Sequence, residues 1–145
     1  MTDPRVVLET EALAADRQVV LDGLGEYNER FAPRAAQPTL TLFLRDREDR
    51  VRGGLLGETY FGWLHIAVLW VDEPLRGGGH GVALVRAAEA EARRRGCHSA
   101  HLDTFSFQAR PFYERLGYRV FAELESYPEG TTRYYLRRSL TSGPA

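Results

Sequence analysis

The sequence predicts an α/β (α+β) fold in which helices pack on a mixed β-sheet, and three observations predict it. Strand-like and helix-like periodicities alternate along the chain in the order β-α-β-β-β-α-β-α-β-β. No repeat or low-complexity tract interrupts that order. The 145 residues, 43% hydrophobic and 11% aromatic, suffice for one well-packed core, so a single domain over residues 1–145 is expected.

Each element has its own local reason. Val6 to Leu8 is a short apolar run, read as the first strand. Val20, Leu24, Tyr27 and Phe31 recur at helical spacing and give one face to bury, with Gly23 and Gly25 as potential breaks. Ala32 to Pro38 carries two prolines and reads as a loop. Thr39 to Leu44 is apolar and β-rich, and the polar turn Asp46 to Arg50 joins it in a hairpin to Val51 to Tyr60, whose three glycines weaken it as a strand. In Trp63 to Val71 both alternating sets are mostly apolar, which predicts a central strand covered on both faces. Pro74 ends it, and a glycine-rich turn follows. Val82 to Arg95 reads as a helix with apolar residues at 82, 85, 88 and 92, stopped by Gly96. A strand near Ser99 to Thr104, a short helix from Ala109 to Leu116 closed by Gly117, and strands at Tyr118 to Leu124 and Arg133 to Leu140 complete the chain.

Composition narrows the function. All 19 basic residues are arginine. Without lysine there is no Gly-Lys-Ser/Thr phosphate loop, no kinase-type ATP lysine, no pyridoxal Schiff base and no Ser-Lys pair. Cys97 stands alone, so neither an intramolecular disulfide nor a cysteine-rich zinc site is available, and a reducing, cytoplasmic setting is expected. The net charge of −1 argues against a nucleic-acid face, since only Arg93, Arg94 and Arg95 run together. No apolar run has the length of a membrane span, and the N-terminus lacks an apolar secretory core. His80, His98 and His101 have no matching acidic cluster, so no metal is expected.

Two segments carry chemistry. In residues 72–81 four glycines, Gly77, Gly78, Gly79 and Gly81, occupy five positions before a helix, where unobstructed backbone N–H groups and the positive helix end form a nest for phosphate. Arg76 adds a charged fork of donors. The alternative is a strand-to-helix turn whose glycines serve geometry alone. A dinucleotide fingerprint is excluded, because that motif follows the first strand of a βαβ unit and this one follows the fourth. The second segment is Phe112-Tyr113-Glu114-Arg115-Leu116-Gly117-Tyr118. There Phe112 and Leu116 would face the core, Gly117 would cap the helix, and Tyr113 either packs or reaches a site.

Arg76-x-x-Gly79-x-Gly81 after a strand ending Leu69-Trp70-Val71 resembles the acetyl-CoA pyrophosphate loop of the GCN5-related N-acetyltransferases (GNAT), and Phe112-Tyr113 with Gly117-Tyr118 resembles the same family's Phe-Tyr-x-x-x-Gly-Phe segment. The order of elements from Val6 to Leu140 also matches. The resemblance implies a mostly antiparallel sheet of six to seven strands with helices on both faces. It further implies that backbone amides around Gly77, Gly78, Gly79, His80 and Gly81, together with Arg76, hold the diphosphate of acetyl-CoA, and that Leu69, Trp70 and Val71 pair with its pantetheine arm. Tyr113 would be the general acid beside the thioester sulfur, neutral at physiological pH because a phenol has a pKa of roughly 10. Many members carry asparagine where this chain has Ser106; serine reaches less far, and Gln108 is the neighbouring substitute.

An amine acceptor must lose a proton before it attacks, which makes Glu58 or His65 the candidate base, with Asp103 behind them. Each also reads as an ordinary residue, His65 as a core histidine and Glu58 as an exposed carboxylate. Tyr27, Asn28, Arg34, Trp63 and Tyr127 lie in the segments expected to meet the acceptor and do not select one. An acidic pocket would favour polyamines or aminoglycosides, and a free arginine an amino-acid carboxylate. The expected activity is transfer of acetyl from acetyl-CoA to a primary amine of a small molecule or peptide, in a ternary complex. The alternative is a non-catalytic acyl-CoA sensor with the same fold. Neither a nucleic-acid nor a membrane partner is expected, and homodimerisation is left open.

Overall fold

The structure is a computed structural model that describes residues 3–35 and 37–141. The chain divides into two compact units, Met1–Arg34 and Ala35–Ala145, each taken by itself. In the first, helix α1 (Ala14–Asn28) runs through Gly23 and Gly25 without a break. Two glycines cost a helix about 1 kcal/mol each relative to alanine, and the surrounding run of good helix formers absorbs that. Arg34 folds back to Glu29 at 2.8 Å. The strand expected at Val6 to Leu8 does not form: residues 3–9 have no regular structure and Val6 and Leu8 are exposed. A short apolar run is compatible with a strand, but a strand also needs a partner for its backbone.

The second unit is built on six strands: β1 (Thr39–Arg45), β2 (Val51–Tyr60), β3 (Trp63–Val71), β4 (Ser99–Phe105), β5 (Arg119–Leu124) and β6 (Arg133–Ser139). They lie in the order β1-β2-β3-β4-β6-β5, antiparallel except for β3–β4. The turns follow from their residues. Asp46 Oδ1 accepts the N–H groups of Glu48 and Arg50, closing the β1–β2 turn, and Phe61 and Gly62 take φ of 51° and 83° in the two-residue β2–β3 hairpin. The crossover that permits the parallel pairing runs from β3 through a single-turn 3-10 helix at Glu73–Leu75 and helix α2 (His80–Arg94) into β4. Helix α3 (Arg110–Arg115) follows β4.

Leu40, Leu55, Leu64, Ile66, Leu102 and Leu136 from the sheet pack with Val85, Ala88 and Ala92 of α2 and with Tyr113 and Leu116 from the α3 segment. On α2 the buried face includes Leu84 where the sequence pattern suggested Val82, which is partly exposed. Glu89 is fully buried on that face. Its carboxylate accepts Tyr118 O–H at 2.8 Å, Arg138 Nη1 at 3.0 Å and Arg86 Nη1 at 2.8 Å. Arg138 also donates to the Leu116 carbonyl at 3.2 Å, so the cluster binds α2 to β6 and to the α3–β5 turn. Removing one partner of a buried pair of this kind costs about 3–5 kcal/mol, because the other charge is left unanswered.

β3 departs from expectation in the way that matters for function. It pairs with β4 only from Trp63–Ser99 to Ile66–Leu102, and a bulge at Ala67 shifts its register against β2. Beyond the bulge β3 and β4 part, β3 staying with β2 and β4 with β6. Val68 and Trp70 are consequently about half exposed, where a central strand covered on both faces was expected.

Candidate active site

The splay opens a cleft of about 560 Å³ between the two strands, lined by residues 66–71 of β3, by Asp103, Thr104 and Phe105 of β4, and by Phe107, Gln108, Ala109 and Tyr113. From Ala67 on, the backbone edge of β3 that faces β4 has no strand partner. A second hollow of about 470 Å³ shares Leu69, Trp70, Val71, Arg76 and Ala109 with the cleft and runs on past Gly77, Gly79, His80, Gly81 and Val82 to Phe112 and Arg115. The two hollows adjoin through these shared residues, one reaching the start of α2 and the other Tyr113.

At the helix end the glycines have distinct tasks. Gly77 and Gly79 take φ of 80° and 84°, which L side chains rarely adopt, and a Cβ on either would point into open space. The space is a cradle that side chains would fill. Gly79 is the N-cap of α2, so the first N–H groups of the helix face the groove. Gly81 has a different reason: a Cβ there would meet the Phe112 ring at 3.3 Å, so it permits close approach of α2 and α3. Arg76 Nε donates to the Val71 carbonyl at 2.9 Å, which fixes the guanidinium at the end of β3 with its terminal nitrogens available to an anion. These residues fit a diphosphate. Arg115 was not singled out from the sequence, although its spacing of three from Phe112 places both on one face of α3.

At the other end Tyr113 is buried, at 7% exposure, and lines the cleft. Burial, and behind it the charge of Asp103, push its phenol up to about 12. It is a neutral O–H donor at any ordinary pH. Asp103 lines the same cleft and is paired with Arg133, whose Nε donates to its Oδ2 at 2.8 Å. Glu58 and His65 face each other across β2–β3, with His65 Nδ1 3.2 Å from Glu58 Oε1. His65 lies one residue before the cleft-lining stretch and stacks on His101 at 4.6 Å. Burial, together with the neighbouring His65, holds His101 below the usual histidine range.

Several residues expected at the site are engaged elsewhere. Ser106 does not line the groove: its N–H donates to the Thr132 carbonyl at 2.8 Å, and its Oγ accepts the Thr132 N–H at 3.2 Å. Gln108 lines the cleft, but its Oε1 accepts Phe105 N–H and Thr104 O–H, closing the β4–α3 loop on itself. Gly78 lies beside the His80 ring and does not line the groove. Cys97 is buried, and burial pushes its thiol up, as for an inert side chain. Among the described residues no helix is long and apolar enough to cross a membrane.

Comparison with known proteins agrees with this geometry. Residues 9–118 match the Acetyltransferase (GNAT) family. The blasticidin-S acetyltransferase of Streptomyces morookaense is 45% identical over 89 residues, 61% of this chain and 65% of that protein. An acetyltransferase of Agrobacterium fabrum is 34% identical over 91% of this chain and 96% of its own length. A crystal structure of a protein assigned as an acetyltransferase, from Agrobacterium tumefaciens, superimposes with a TM-score of 0.86 at 33% identity over 94% of this chain and 99% of that one. The splayed sheet, the glycine cradle and the tyrosine at the end of the groove are thus set in a chain that belongs to the GNAT family of acetyltransferases.

Proposed function

We propose that residues 1–145 act as one N-acetyltransferase domain that moves an acetyl group from acetyl-CoA to the primary amine of a small molecule or peptide, by direct attack in a ternary complex. The observation that carries this is the pair of adjoining hollows, with shared lining, that lead from the helix-end cradle to the buried, neutral Tyr113. Acetyl-CoA supplies the activated thioester. Backbone amides of residues 77–81 and Arg76 bind the diphosphate, and the unpaired edge of β3 at residues 67–71 takes the pantetheine arm and polarises the acetyl carbonyl.

As the new C–N bond forms and the C–S bond breaks, Tyr113 O–H gives its proton to the departing sulfur. A phenol raised to about 12 keeps that proton until it is needed. The Glu58–His65 pair accepts the proton the amine releases, through water from the mouth of the cleft. A small-molecule acceptor is supported by the relative that acetylates blasticidin S.

The test is CoA release across a panel of primary amines with wild type and Tyr113→Phe. General acid catalysis of this kind is worth about a hundredfold or more in kcat, and loss of the hydroxyl is expected to cost that much while the Kd for acetyl-CoA is kept. Equal kcat values on a good acceptor would remove Tyr113 from the chemistry.

A further inference from the structure

One wall of the cleft carries rings in an unusual arrangement. Phe105 and Phe107 are stacked at 5.4 Å with planes 6° apart, and Tyr127 stacks on Phe105 at 5.6 Å and 26°. The Arg133 guanidinium lies over the same rings, 5.4 Å from Phe105 and 4.9 Å from Tyr127. Phe105 and Phe107 line the cleft beside Tyr113, and Phe107 is 66% exposed, so ring surface is turned to solvent next to the reacting end.

The ring wall is held in place. The paired Ser106–Thr132 backbone and side-chain bonds tie the Phe107 loop to the loop that carries Tyr127, and Gln108 closes the same loop onto Phe105 N–H. The serine that stands where many relatives have asparagine is therefore committed to fixing ring positions. A wall held this firmly loses little freedom when a ligand lies on it.

Charge discriminates among acceptors. Arg76 and Asp103 are the only charged side chains that line the cleft among the described residues. Arg76 is tied to the Val71 carbonyl at the donor end, and Asp103 is ion-paired with Arg133 at 2.8 Å. Among the described residues the cleft lining holds no carboxylate cluster for a polyamine, and its one guanidinium, Arg76, stands at the donor end rather than beside Tyr113. Flat ring surface remains as the feature that selects.

We propose that Phe105 and Phe107 form a stacking platform that selects acceptors whose amine is carried on a flat, unsaturated ring, with Phe107 as the specificity-determining residue. This rests on the transfer reaction proposed above and names its acceptor class. Offset stacking in a confined site favours a flat ring over a puckered one of equal size by about three- to tenfold.

The test compares 2-phenylethylamine with 2-cyclohexylethylamine, two amines of similar length and bulk that differ in ring flatness. Binding of each to the CoA-loaded protein is measured by calorimetry in wild type, Phe107→Leu and Phe107→Tyr, with CoA release from acetyl-CoA followed in parallel. Wild type and Phe107→Tyr are expected to prefer the phenyl compound about three- to tenfold, and Phe107→Leu, which keeps apolar bulk without a ring, to lose the preference. Equal affinities in wild type, or a preference that survives in Phe107→Leu, would overturn the platform. Release of CoA without a ring preference would overturn the platform and leave the transferase reading standing. A ring preference without release would do the reverse.

Discussion

Tyr113 shows how much one residue's surroundings decide. The spacing Phe112-Tyr113 with Gly117 was visible in the sequence, and the fold buries the ring while leaving it in the lining of the cleft. Burial and Asp103 raise its pKa from 10.0 to about 12. Because the folded-state value lies above the unfolded one, the stabilisation is complete below pH 10 and is lost as pH rises toward 12. Tyr113→Phe is therefore expected to lose less stability than wild type over that window, measured as thermal midpoints in matched buffers. Parallel losses would mean that the phenol titrates as in water. Asp103 and Glu89 could not be read in this way. The partner of Asp103, Arg133, stands 30 residues away, and Glu89, though three residues from Arg86, also takes Arg138 from 49 residues away, so neither long-range pairing left a local signal.

At the scale of elements, turn chemistry was the most legible feature. Asp46, Gly79, Gly96 and Gly117 mark ends that the structure reproduces within a residue or two, because a cap or a left-handed φ admits few residue types. Two signals misled for the opposite reason. Val6 to Leu8 had an apolar run without a partner strand, and the glycines of α1 were tolerated by their neighbours. The cradle itself gives a sharp expectation. A Cβ at Gly79 meets no atom, so Gly79→Val costs chiefly its φ of 84°, on the order of 1–2 kcal/mol. The same side chain occupies the space where the diphosphate is proposed to lie. Calorimetry should show the Kd for acetyl-CoA rising at least about tenfold while the protein stays folded by circular dichroism. An unchanged Kd would move the diphosphate elsewhere.

For the molecule as a whole, the order of strands and helices could be read from periodicity, but the parting of β3 from β4 could not. The bulge at Ala67 sits inside an unbroken apolar run, and nothing in Trp63 to Val71 distinguishes its paired half from its open half. The cleft exists because of that parting. In the proposed division of work, a backbone edge and cradle serve the donor and a ring platform serves the acceptor. The most direct test is a crystal structure of the protein with CoA bound. The account predicts the diphosphate on the amides of residues 77–81 beside Arg76, the pantetheine arm along residues 67–71, and the sulfur within hydrogen-bonding reach of the Tyr113 hydroxyl. A diphosphate bound away from the start of α2, or a sulfur remote from Tyr113, would contradict it.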